Sequence, residues 1–471
     1  MDSGAKDSEA AKAGALSRLK GRKVGSRAGA GPPRGHAAAS HEENYAYAVS
    51  GRPGAVGPGG GSDRPPGGRL TAAIIIHTAR QARMQDAFRE MGRGAVLEEG
   101  APPANKPPPA GGSGKAEPLR DRGNGLAAGL FSVKPSAARA ACVDISDRPS
   151  LCMDVRDGFA VVGSSDHALY EVDLKKKRVC RKLYSKQYGH GEWVSAVAYL
   201  GDGRVISAGL DSKLCLWSAQ GVRCADMRGH VGSISAVAVD SGSRIALSAG
   251  YDKTIRCWDV RRVPKEMWAI KGHRSPVMEL RWGENGLVAS GDRGGVVVAT
   301  DVARGDARQK VQAHQGHCTS LRWKGGPSEV LFSGGQDGCL HVWDLRSGGA
   351  CLNVPLHAHT HGSGAIGDIL VDGHTIVTTG ADAEINVLDV RRAPEVVHTF
   401  KDHDDFIYSV DLCGDVLMTG SGNGSVLAHS LRDGKLLYRM DVEANAIRNI
   451  RMCGAQVITS GDDGNVRIFE S

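Results

Sequence analysis

The segment GYDKTIRCWDVRR (250–262) has two close counterparts in the same chain, GLDSKLCLWSA from Gly209 and GQDGCLHVWDL from Gly335. Aligning every such unit on its turn residue gives Asp166, Asp211, Asp252, Gly294, Asp337, Asp382, Asn423 and Asp463, spaced by 45, 41, 42, 43, 45, 41 and 40 residues. Within each period, short alternating runs of Val, Ile, Leu, Ala and Trp are separated by Gly, Asp and Asn turns. That is the pattern of successive half-buried strands. One such unit cannot bury its apolar faces alone and must stack on its neighbours. A period of this length with four strands per unit therefore predicts an all-β fold, a β-propeller. No helical periodicity competes with it from residue 140 onward.

The same recurrence decides how the acidic turn is read. Three units carry a full set of polar residues at matching positions: His190, Ser207, Asp211 and Trp217; His230, Ser248, Asp252 and Trp258; His314, Ser333, Asp337 and Trp343. A buried carboxylate is costly unless donors surround it, and a histidine, backbone amides and a hydroxyl–tryptophan relay can supply them. A Ser/His/Asp catalytic site has no reason to be copied into neighbouring units. With this spacing, residues 140–471 resemble the WD-repeat family, whose unit combines a Gly-His dipeptide, a second-strand Ser or Thr, a turn Asp and a Trp-Asp pair. The resemblance implies that the network is structural and that the domain is a non-enzymatic scaffold for protein partners.

The remaining units are degraded. Thr300, Leu388, His429 and Phe469 stand where tryptophan is expected, Asn423 replaces the aspartate, and the first unit has Asp166 without a matching histidine. Counting all of them favours eight blades, with seven as the alternative. Eight blades require a closing strand from elsewhere, and AACVDIS (140–146) is the expected source. Pairing the two ends of the domain removes an exposed sheet edge.

Charge divides the chain. Residues 1–139 hold 21 Lys/Arg and 12 Asp/Glu, a balance of +9, and the rest holds 38 and 40, a balance of −2. The first part is rich in Gly, Pro, Ala and Arg and buries too little apolar surface to offset chain entropy. It is expected to be mostly disordered, except for a short amphipathic helix over 71–91 that begins at a capping Thr71 and stops at Gly92. The basic run RLKGRK (18–23) has no interleaved aromatics to stack on bases, so nucleic acid is an unfavoured partner; a nucleic-acid-associated scaffold using the basic tail is the secondary alternative. Eleven cysteines fall without a CxxC pair, several inside apolar runs, and read as small core residues of a reducing compartment. With no long apolar run and no secretory-type N-terminus, the expectation is a protein of the cytoplasm, or also of the nucleus, with no membrane insertion.

No cofactor and no metal is expected. HAHTHG could place His357, His359 and His361 on one face, but it occupies the Gly-His loop position before the sixth blade, and no cysteine or acidic cluster completes a site. Partners are other proteins. Residues flanking the turn aspartates and loop histidines converge on one rim, and Trp193, Leu210, Tyr251, Arg274, Gln336, Phe406 and Tyr408 are the expected partner-binding positions. WDVR (258–261), WDLR (343–346) and LDVR (388–391) place Arg261, Arg346 and Arg391 just after the third strands. This pattern resembles substrate receptors of cullin-RING ubiquitin ligases, which implies docking of those arginines on the ligase adaptor as the alternative function.

Overall fold

The computed structural model describes residues 131–135 and 140–470, apart from residues 186, 241, 243, 284–285, 326–327, 348, 358–363, 393–394 and 443–444. The helix expected over 71–91 and the basic run 18–23 lie outside the described residues. Within them the chain is all-β: thirty-two strands form eight four-stranded antiparallel sheets. No helix among the described residues is long and apolar enough to cross a membrane.

Seven sheets are built from four consecutive strands each, and the eighth is not. It joins Ala141–Asp144 to Asn465–Glu470, followed inward by Gln456–Gly461 and Ile447–Cys453. The pairing is antiparallel, with Ala141 opposite Ile468 and Asp144 opposite Asn465. The expected closing strand is therefore in place, and the ring has eight blades rather than seven. First strands of successive blades pack on one another around the ring, and Ser150–Arg156 of blade 1 meets Ile447–Cys453 of blade 8.

The core lies between blades, not within them. One apolar cluster joins Ile206, Leu216 and Met227 of blade 2 to Ile234, Ala246 and Trp258 of blade 3. Another joins Val143, Ile458 and Ile468 of blade 8 to Met153, Val162 and Tyr170 of blade 1. Second strands such as Val205–Gly209 are buried at every position, so they read as continuous small and β-branched runs. Fourth strands such as Lys265–Ile270 alternate between exposed and half-buried residues, because one face meets solvent.

Every first strand carries a register irregularity near its start, for example between Ile234 and Ala236 in blade 3 and between Val277 and Glu279 in blade 4. Such a bulge increases local twist and re-aims the skipped side chain. In blade 2 the skipped residue is Ser195, whose hydroxyl lies 2.6 Å from the Ile234 carbonyl oxygen in the next blade. Ser235 repeats the contact one blade on, 2.6 Å from the Val277 carbonyl oxygen.

One element reaches into this core from beyond the boundary expected at residue 140. Phe131 is fully buried among Val416, Met418, Met440, Ile447 and Phe469, between blades 7 and 8. Its carbonyl oxygen accepts a hydrogen bond from the Tyr438 hydroxyl at 2.8 Å.

Candidate functional site

Antiparallel strands give each blade two kinds of end. Loops entering the first strands and turns joining the second to the third strands lie on one face, here called the upper. Turns after the first and third strands lie on the lower face. The repeated polar set sits just beneath the upper face.

In blade 2, His190 Nδ1 lies 3.1 Å from the Asp211 carboxylate and Nε2 lies 2.7 Å from Ser207 Oγ, which also accepts the Trp217 indole N–H at 2.9 Å. Blade 3 repeats it with His230, Asp252, Ser248 and Trp258 at 2.8, 2.8 and 2.9 Å. Blade 5 does so with His314, Asp337, Ser333 and Trp343 at 3.0, 2.9 and 2.9 Å. Burial pushes each of these carboxyls up, but the histidine hydrogen bond and the loop amides outweigh it and hold Asp211, Asp252 and Asp337 below the usual range. The packing is tight enough to dictate sequence. A Cβ at Gly209 would lie 2.4 Å from the His190 ring nitrogen, so the residue two before the aspartate must be glycine.

The degraded blades are not empty of this chemistry. In blade 4, His273 bonds Asp292 at 2.9 Å and Ser290 at 2.7 Å. Asp292 stands opposite Val277 in the register where blade 2 has Gly209 opposite Val194, so carboxylate and glycine have exchanged places. Aligning this unit on Gly294 conceals that exchange. The histidine–hydroxyl spacing of 17 residues, equal to that of His190 and Ser207, was the signal that could have found it. Blade 6 uses Thr378 as the hydroxyl and Leu388 in place of tryptophan, with His357 lying 3.0 Å from both Thr378 Oγ1 and the Asp382 carboxylate. His357 is therefore committed to its blade, and His359 and His361 lie outside the described residues.

Blade 7 is rewired. His403 bonds Thr419 at 2.7 Å, Asn423 turns to Ser421 and Ser425, and His429, in the tryptophan position, reaches Asp402 at 3.2 Å. Burial, with the neighbouring His429 adding to it, pushes His403 down to about 3, so it is neutral near pH 7. In blade 1, Asp166 accepts from the Tyr170 hydroxyl at 2.5 Å in place of a histidine. In blade 8, Asp463 pairs with Arg467 at 2.6 Å.

The expected partner-binding residues fall in unlike surroundings. Arg274 is exposed, and Trp193, Leu210 and Tyr251 are half-buried. Gln336 is buried, its amide oxygen accepting the His317 N–H at 3.1 Å, so it supports a loop instead of presenting a surface. Phe406 and Tyr408 come together, edge to face at 6.4 Å, against Ala365 and Ala381. The Arg448 guanidinium lies 4.5 Å above the Tyr408 ring and pairs with Asp462. Asp404, with 73 % of its side chain exposed, and Asp405 stand beside this aromatic pair in sequence. Blades 6 to 8 thus carry the expected Phe406 and Tyr408 on a rim joined by Arg448, Asp462 and Asp404, the last lying 3.3 Å from Arg439.

Arg261, Arg346 and Arg391 occupy equivalent places after the third strands of blades 3, 5 and 6, on the lower face. Their side chains are 64 %, 72 % and 59 % exposed. Each folds back on the aspartate two residues before it, with Nε lying 3.0, 2.9 and 3.0 Å from Asp259, Asp344 and Asp389. The arginine hydrogen bonds bring the Asp259 and Asp344 carboxyls down to about 2.

Comparison with known proteins places this geometry. The model of the WD domain, G-beta repeat, matches residues 181–218, 221–259, 305–344 and 394–428. The DENN domain and WD repeat-containing protein SCD1 of Arabidopsis thaliana is 28 % identical over 38 % of this chain and 15 % of its own length. Ribosome biogenesis protein YTM1 of Meyerozyma guilliermondii is 20 % identical over 64 % of this chain and 66 % of its own. The chain therefore spans less than two thirds of both relatives. Among solved structures, Chaetomium thermophilum Sqt1, bound to the N-terminus of the ribosomal protein L10, superposes with a TM-score of 0.61 at 14 % identity, covering 70 % of this chain and 99 % of that one. That likeness concerns the fold. Four stretches matching the WD-repeat model, the hydrogen-bonded histidine–hydroxyl–aspartate sets and the closed ring together identify WD repeats in this chain, built into an eight-bladed propeller.

Proposed function

We propose that this protein is a non-catalytic scaffold that holds segments of other proteins on its upper face during assembly of a larger complex. The observation that carries this reading is the fate of the histidines, hydroxyls and aspartates. In blades 2 to 6 each set is closed on itself beneath the surface, and the half-buried Phe406 and Tyr408 with exposed Asp404 remain at the rim of blades 6 to 8. Phe406, Tyr408 and the neighbouring aspartates suit a basic segment with an apolar anchor, because a few desolvated aromatic contacts commonly dominate such interfaces. Two similarities support complex assembly as the setting. YTM1 is a ribosome biogenesis protein, and the Sqt1 structure holds the N-terminus of a ribosomal protein.

Affinity purification of tagged full-length protein tests the proposal. The double variant Phe406→Ala, Asp404→Lys is expected to keep a cooperative melt and lose its main co-purifying proteins. An unchanged partner set with an intact fold would assign binding elsewhere.

The lower-face arginines favour a second reading, docking on a cullin-RING ligase adaptor. Three equivalent, exposed guanidinium groups, each held in one orientation by its paired aspartate, repeat on a single face. Arg261→Ala with Arg346→Ala should leave the melting temperature unchanged, since both side chains are largely in solvent. It should also abolish recovery of the adaptor. Absence of the adaptor from wild-type purifications would end this reading.

A further inference from the structure

Blade 2 carries a second cluster of reactive side chains that the scaffold reading does not use. Cys215 lies on the third strand, Lys213–Trp217, and Cys224 and Asp226 lie on the fourth, Cys224–Arg228. The two thiol sulfurs and a carboxylate oxygen all sit within 4.8 Å of one another. Cys215 Sγ is 3.9 Å and Cys224 Sγ is 3.8 Å from the same Asp226 oxygen, Oδ1. A tetrahedral zinc ion with ordinary Zn–S and Zn–O bond lengths sets its sulfur and oxygen ligands about 3.6 Å apart. Each sulfur therefore already stands from the carboxylate oxygen at ligand spacing, within a few tenths of an ångström, and the two sulfurs lie within 4.8 Å of each other.

A disulfide does not explain the pair. Cys215 stands opposite Asp226, and Cys224 stands opposite Trp217, so the cysteines are diagonal across the ladder. Diagonal Cα atoms are about 7–8 Å apart, at or beyond the reach of a disulfide. An ion between the sulfurs spans that gap without moving the backbone.

The surroundings fit an ion of this kind. Cys215 is buried against Leu183, Val194 and Trp217, whereas Cys224 and Asp226 reach the solvent side and leave a way in and a fourth position open there. Lys213 Nζ lies 3.8 Å from Asp226 and 2.6 Å from the Gly189 carbonyl oxygen, and Arg228 lies 3.4 Å from Asp226. Two thiolates and a carboxylate around a divalent ion leave one excess negative charge, which Arg228 and Lys213, the latter shared with Asp211 at 3.7 Å, offset.

We propose that Cys215, Cys224 and Asp226 form a binding site for a thiophilic divalent ion of the zinc class. Binding takes one proton from each thiol and forms two metal–sulfur bonds and one metal–oxygen bond, with no redox change. The ion cross-links the outer hairpin of blade 2 and, through Gly189 and Lys213, stiffens the loop that carries His190 and Trp193.

Titration of reduced, metal-free full-length protein with Co(II) tests this. Wild type should develop a sulfur-to-cobalt charge-transfer band and the visible bands of tetrahedral coordination, both erased by Zn(II), and Zn(II) should raise its melting temperature. Cys224→Ser should lose the charge-transfer intensity, and Asp226→Asn should weaken Zn(II) binding by roughly tenfold or more. Cys339→Ser, in blade 5, should behave as wild type. Absence of the charge-transfer band from wild type would overturn the proposal, as would its survival in Cys224→Ser. Asp226 lies at the exposed edge of the blade, so unchanged Zn(II) affinity in Asp226→Asn overturns it even if the cysteine variant folds poorly.

Discussion

A chain shortened to begin at Ser150 is expected to melt roughly 10 °C or more below one that begins at Gly125. The deletion removes Phe131, Val143 and Ile145, which are 0 %, 6 % and 7 % exposed. Full burial of each is worth about 1.5–3 kcal/mol, so their loss takes about 5–9 kcal/mol from a domain whose whole stability is of order 5–15 kcal/mol. It also leaves Asn465–Glu470 as an unpaired edge on blade 8. Calorimetry of the two proteins reads the difference directly. Equal melting temperatures would show that the ring holds without its closing strand. A start at residue 135 should be intermediate, because it keeps the strand and loses Phe131. Phe131→Ala in the intact chain isolates that contribution, expected at about 3–5 kcal/mol.

The second large effect concerns Asp252. Its carboxylate accepts from the Val231 and Thr254 backbone amides at 3.1 Å each and from the Thr254 hydroxyl at 2.8 Å, besides its contact with His230. Asp252→Ala deprives several partly buried donors at once, and a loss of about 3–5 kcal/mol is expected from urea unfolding near neutral pH. The Trp258→Phe change removes one indole hydrogen bond and should cost about 1 kcal/mol. The Asp252 effect has a pH signature. The folded carboxyl sits below its unfolded value, so the stabilisation it provides is complete above about pH 4 and fades as pH falls through the folded value. Wild type and Asp252→Ala should therefore converge in stability as the solution is acidified below pH 4. A gap that stays constant from neutral pH down to pH 3 would mean that the charged carboxylate is not what holds the turn.

Much of this architecture was legible in the residues, and for physical reasons. Blade count follows from a period fixed by four strands and their turns, and closure follows from the need to pair the last strand of the ring. Both are legible in the sequence itself. The three complete polar sets were legible because each keeps the same residues at the same spacing. Blade 4 was not, because alignment on a turn residue assumes that the carboxylate stays in the turn. Asp292 does the same work from the glycine position. Phe131 was missed because an isolated aromatic in an Ala- and Gly-rich stretch has no periodic neighbours to signal burial. The pairing of Cys215 with Cys224 was hidden similarly: they are nine positions apart in sequence and meet only across a hairpin. Proximity across strands depends on register, and register is set by the turn between them. The cluster of Phe406, Tyr408 and Arg448 spans two blades, so no single repeat contains it.

The strand that completes blade 8 has a consequence for how the protein is made. Ala141–Asp144 leaves the ribosome roughly 320 residues before its partner, a wait of about a quarter of a minute to a minute at ordinary elongation rates. Throughout that interval the nascent chain holds an edge strand with no mate and an arc of blades with an unsatisfied face at each end. Substitutions at Val143, Ile145 or Ile468 should therefore be felt first in the cell as lower yield and more aggregation, at protein levels where every finished ring still binds normally.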